Sequence, residues 1–182
     1  FQVSTSTDRA LAVAPSTPAL GGQLTGGVGL AFAAPGDRVP GTVNSANVTL
    51  GFTVATPIPV GGKITLALPV NYFSAVDSGK LNTLSPAGAT CTCTLTKATG
   101  AAVTDLVTCT TAGAVVAAAA QTLTLVAGAV TTGVPQAAGT FQVSTSTDRA
   151  LAVAPSTPAL GGQLTDTSVI LFLFDNDMLA YS

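Results

Sequence analysis

Apolar and polar residues alternate with a period of two in short runs along most of the chain, and helical periodicity is nearly absent. Alternation of this kind puts successive side chains on opposite faces of an extended strand. Val48, Leu50, Phe52 and Val54 alternate with Thr49, Gly51 and Thr53, and Ile64, Leu66 and Leu68 alternate with Thr65 and Ala67. Between these runs, Pro57-Ile58-Pro59-Val60-Gly61-Gly62 reads as a turn. Cys91, Cys93 and Leu95 share one face, with Thr90, Thr92, Thr94 and Thr96 on the other. In the next run Val103, Val107 and Cys109 are expected inward and Thr104, Thr108 and Thr110 outward, with Asp105 nearer a turn than the core. Leu123 and Leu125 alternate with Thr122 and Thr124, and Phe141 and Val143 with Gln142 and Ser144. β-Branched residues fill the runs, and Gly and Pro punctuate them. The pattern predicts an all-β fold, an antiparallel β-sandwich with one face of each strand inward and a Thr-rich face outward.

A second pattern is longer. Residues 1–25, FQVSTSTDRALAVAPSTPALGGQLT, recur unchanged at 141–165, an offset of 140 residues. The chain therefore holds one full period, 1–140, and 42 residues of another. Beyond the match the copies diverge, although both resume with an apolar run, around Leu30-Ala31-Phe32 and Ile170-Leu171-Phe172. Three origins stay open: a tandem array cut out of register, an introduced duplication, or one strand shared between neighbouring subunits. In each, the duplicated stretch is an inter-module element. On this reading 1–22 is a closing strand and linker equivalent to 141–162, and 23–147 is the β-sandwich module. Residues 148–182 are then a linker followed by an apolar strand of the next module, or a donor strand. The six apolar residues Val169, Ile170, Leu171, Phe172, Leu173 and Phe174 would be an aggregation hazard if left exposed. With Phe141 and Val143 they are the candidates for a strand that passes between units, and the expected partners are copies of the same chain.

Composition narrows the chemistry. Charged residues are 8% of the chain, against about 25% in an ordinary soluble domain. There is no His, and all eight acids are Asp. The commonest general acids and bases and the usual zinc ligands are thus absent. No nucleophile–base pair can be assembled, and neither Gly-x-Ser-x-Gly nor Ser-x-x-Lys occurs. Gly21-Gly22 and Gly26-Gly27 lack the Lys of a phosphate loop. An enzyme is not expected, nor a cofactor or metal. Asp175 and Asp177 supply too short a ligand list for calcium, and the Asp-Arg pairs at 8–9, 37–38 and 148–149 read as turn or linker charges. Six scattered cations make no phosphate-neutralising surface, so nucleic acid is not a partner. The most apolar window, Ala112–Val130, is interrupted by Gln121, Thr122 and Thr124 and predicts no membrane span. No basic stretch precedes an apolar core near Phe1, so the chain reads as a mature or excised piece.

The polar features that remain concern the surface and the cysteines. Cys93 lies opposite Cys109 if Gly100-Ala101-Ala102 is the hairpin loop, and a shift of two residues would oppose Cys91 and Cys109 instead. Both registers stay open, with the third thiol either buried or available to a neighbour. Asn47-Val48-Thr49 is an N-glycosylation sequon at Asn47. Thr5, Thr7, Thr17, Thr90, Thr92, Thr94 and Thr96 are O-glycosylation candidates, because so weakly charged a surface needs another source of solubility. Low charge, high Thr and the sequon place the chain outside the cell, where disulfides persist.

The stretch from Val48 to Pro69, the TCT…VTCT hairpin at Thr90–Thr110 and the closing segment Gly139–Thr147, which opens GTFQVST, carry a resemblance. They resemble immunoglobulin-like modules repeated in tandem in large extracellular proteins of bacteria, algae and other microbial eukaryotes. The resemblance implies an immunoglobulin-like sandwich with exchanged or shared strands between modules. It also implies a role in surface stalks, adhesins, cell coats or filaments. Two functions follow: a structural subunit that chains end to end by strand addition, or an adhesin module holding a glycan or surface. For the second, Asn71-Tyr72-Phe73 is the one aromatic loop cluster, and ice binding by the Thr rows is a distant third.

Overall fold

The structure is a computed structural model that describes residues 21–151 and 153–161. Strand β1 (Thr25–Phe32) leads through a short 3-10 turn at Pro35–Arg38 to β2 (Val48–Thr53). Then follow β3 (Lys63–Pro69), β4 (Phe73–Val76), β5 (Asn82–Ser85) and β6 (Ala89–Thr96). Next come β7 (Thr104–Ala112), β8 (Ala120–Leu125) and β9 (Val130–Thr132). The chain closes with β10 (Gly139–Thr140), β11 (Gln142–Thr145) and β12 (Ser156–Thr157). Eight strands form one antiparallel sheet in the order β1-β2-β8-β5-β6-β7-β3-β11, and β4–β9 and β10–β12 are small separate pairs. Among the described residues there is no α-helix, and no helix is long and apolar enough to cross a membrane.

The sheet curls around a continuous apolar inward face. Val48, Leu50 and Phe52 of β2, Ile64, Leu66 and Leu68 of β3, and Leu123 and Leu125 of β8 are all buried, as the alternation requires. Cross-strand partners on that face meet directly, as Leu50 with Leu123 and Leu66 with Val107. Tyr72 and Phe73 fill the concave side edge to face, with ring centroids 5.2 Å apart. On the opposite face Thr49, Thr124, Thr83 and Thr90 lie side by side across β2, β8, β5 and β6.

Two expectations are corrected. Val103, expected inside, is 79% exposed, whereas Asp105 is fully buried on the same face as Val107 and Cys109. Its carboxylate accepts the backbone N–H groups of Asn71 and Ala98 and an ion pair from Lys97 at 2.9 Å, which offsets the cost of burial. The other correction concerns 148–160, expected as linker. It folds back along 136–145 as the second arm of a hairpin and packs into the body.

Candidate assembly site

The closing hairpin is the second copy of the duplicated sequence. Its first arm, β11, pairs with β3, setting Val143 against Leu66 and Ser144 against Thr65. The chain then turns at 145–148. Thr145 Oγ1 accepts the N–H groups of Thr147 and Asp148, and Ser146 N–H donates to Lys63 O at 2.8 Å. The returning arm bonds Leu151 N–H to Val143 O, offers Pro155 O to Phe141 N–H, and pairs Thr157 with Gly139. At its far end Leu160 and Gln136 exchange both backbone bonds at 2.9 Å. Phe141, Val143, Leu151 and Leu160 are buried, each contributing about 1.5–3 kcal/mol of transfer free energy. The Tyr72 hydroxyl donates to Pro158 O at 3.0 Å, and burial raises its pKa.

The returning arm also meets β1, which runs alongside in the same direction. Arg149 N–H donates to Gly22 O and Leu24 N–H donates to Arg149 O, a parallel bridge that brings the two ends of the curled sheet together. The approach is so close that only glycine fits. A Cβ on Gly21 would stand 1.9 Å from Thr147 O, and one on Gly29 would stand 2.6 Å from Ser156 O. Gly29 within a strand is the sequence signal for this backbone approach, and the sequence reading above draws nothing from it.

Asp148 ties the junction. Its Oδ1 accepts Gly22 N–H at 3.0 Å, and its Oδ2 accepts Ala55 N–H at 2.8 Å and Thr56 N–H at 3.0 Å. The side chain is buried, and among the described residues its recorded partners are backbone N–H groups. Burial alone raises its pKa, but the hydrogen bonds from Thr56, Ala55 and Gly22 outweigh it and hold the carboxyl below the usual range. Asp37 is similar: it is buried and accepts Ser45 N–H, Ser45 O–H and Ala46 N–H. Both were expected as plain turn or linker charges; each sits at a turn but works as a buried acceptor.

Cys93 and Cys109 face each other across β6 and β7 and are joined as a disulfide, with Cys91 a buried free thiol. The three sulfurs lie within 4.8 Å of one another, and the bridge takes two of them. Asn47 is exposed just before β2. Thr92, Thr94 and Thr96 are exposed on β6, while Thr90 is half-buried. Thr5, Thr7, Thr17, Val169, Ile170, Leu171, Phe172, Leu173 and Phe174 lie outside the described residues, as do Asp175 and Asp177. The second-copy equivalents of the three threonines are structural. Thr145 and Thr147 bond within the turn and to Thr56, and Thr157 accepts Gly139 N–H while 1% exposed. Tyr72 and Phe73 are wholly buried, so the Asn71-Tyr72-Phe73 cluster presents no aromatic platform.

Comparison with protein-family models, with curated proteins and with solved structures returns no match.

Proposed function

We propose that the chain is a structural subunit of an extracellular filament or surface appendage, an immunoglobulin-like module that chains end to end by β-strand addition. One observation carries this reading: the segment that occurs twice unchanged is the one that completes the fold. The described body, beginning at Gly21 and ending its pairing at Leu160, spans one 140-residue period. A fold whose first residues and last arm belong to two copies of one sequence supports the reading as a repeating unit. The weakly charged, Thr-rich outer face suits a surface carrying glycans, with Asn47, Thr92, Thr94 and Thr96 accessible. The role is mechanical. The adhesin alternative loses its motivation because the aromatics it needs are in the core. Negative-stain microscopy of the native material tests the proposal. Filaments with a repeat of one module are expected, and monodisperse particles would overturn it. Intact mass reads the glycans.

A further inference from the structure

We infer that the groove filled here by residues 141–160 is a docking site for residues 1–20 of a second copy of this chain. The inference rests on the end-to-end reading above and names the segment and the partner. Residues 1–20 match 141–160 at every position, so the groove between β3 and β1 offers them the same contacts, side chain for side chain. Val3 would stand where Val143 faces Leu66, and Asp8 where Asp148 takes its three backbone N–H groups.

The occupant must come from another chain. Gly22 is bonded at the Asp148 end of the returning arm, whereas Leu160 pairs with Gln136 at the opposite end. The partner arm from 136 to 145 separates these ends by roughly 30 Å at strand spacing. A chain whose Leu20 took the place of Leu160 would have only Gly21 with which to return to Gly22, a reach of about 7 Å. Its own first copy therefore cannot close its own groove. In a second molecule no such return is needed. The donor leaves the groove at Leu20, and its own first anchored residue, Gly22, follows two residues later, so neighbours abut head to tail across a Gly-Gly joint. Residues 141–160 of the same chain compete for the groove with the advantage of being tethered. A full chain closed by its own hairpin accepts a neighbour's strand only as that hairpin is displaced.

The test uses the full chain. Val143→Asp with Leu151→Asp disables the tethered copy and leaves residues 1–20 intact. Ser4→Cys and Thr65→Cys, carried on two differently tagged chains, report docking as an interchain disulfide. The disabled chain is expected to form concentration-dependent oligomers carrying the 4–65 bond at about tenfold or more the level of the undisabled chain. Adding Val3→Asp and Leu11→Asp should abolish both. Because that chain could fail through misfolding, a labelled peptide identical to residues 1–20 is added to it. The peptide should bind, restore β-structure and yield monomers, and it should bind the wild-type chain about tenfold or more weakly. Absence of the 4–65 bond, or of peptide binding to the doubly disabled chain, overturns the inference. Native filaments without peptide binding would leave the structural role standing and sink the exchange. Peptide binding without native filaments would do the reverse.

Discussion

Asp148 shows how much one side chain holds. Replacing it with Ala strands three backbone N–H groups in a closed environment, so Asp148→Ala should destabilise the fold by about 3 kcal/mol in urea unfolding. Burial raises the carboxyl pKa of Asp37, Asp105 and Asp148, but their hydrogen bonds outweigh it and hold all three below the usual carboxylate range. The unfolded carboxyls therefore take up protons first as pH falls. Their stabilisation is complete above the unfolded value of about 3.9 and is lost as pH falls through the lower folded values. Thermal melting should fall below pH 4, and Asp148→Asn should flatten part of that fall. Burial pushes the Cys91 thiol up to about 11. A thiol reagent near neutral pH should find no reactive cysteine in the native chain and one after denaturation without reductant. Sequence placed Cys93 and Cys109 on one inward face, but could not phase Asp105. An isolated acid reads as exposed, and its donors at Asn71 and Ala98 come from loops whose approach only the tertiary fold provides.

At the level of elements, runs with strict alternation were legible. β2, β3, β6 and β8 fall within a residue or two of the expected spans because one face of each is buried and the other carries β-branched Thr. The returning arm 148–160 was not legible, since Pro155 and Pro158 interrupt its pattern and read as linker. Both prolines serve through their carbonyls alone, taking Phe141 N–H and Tyr72 O–H, so the missing N–H costs nothing. Gly29→Val should force the returning arm off β1, with faster amide exchange at Leu151 and Thr157 and a loss of about 2 kcal/mol or more. The bridge between Cys93 and Cys109 closes a short loop within one hairpin. Replacing both with Ala should cost about 3 kcal/mol by the chain-entropy relation, read as a shift in the urea midpoint.

Taken as a whole molecule, the repeat was visible in the sequence but its phase was not. A module at 23–147 with linkers was the expectation; the described body instead runs from Gly21 to Gly161, because residues 148–160 carry as much of the closing pairing as 136–145 do. The parallel run of β1 beside the returning arm has a consequence under load. Gly22 lies beside Arg149 and Gly29 beside Ser156, so two neighbours point the same way while the chain enters at one end and leaves at the other. Tension applied at Gly21 and Gly161 slides these neighbours past each other lengthwise. The bonds at Gly22, Leu24 and Asp148 then strain together and must break together, whereas a pull at the Gly100 loop peels strands one bond at a time. Single-molecule stretching should give a higher rupture force with handles at 21 and 161 than at 100 and 161, and Asp148→Ala should lower the first more than the second. A cord made of such units resists stretching at its seams.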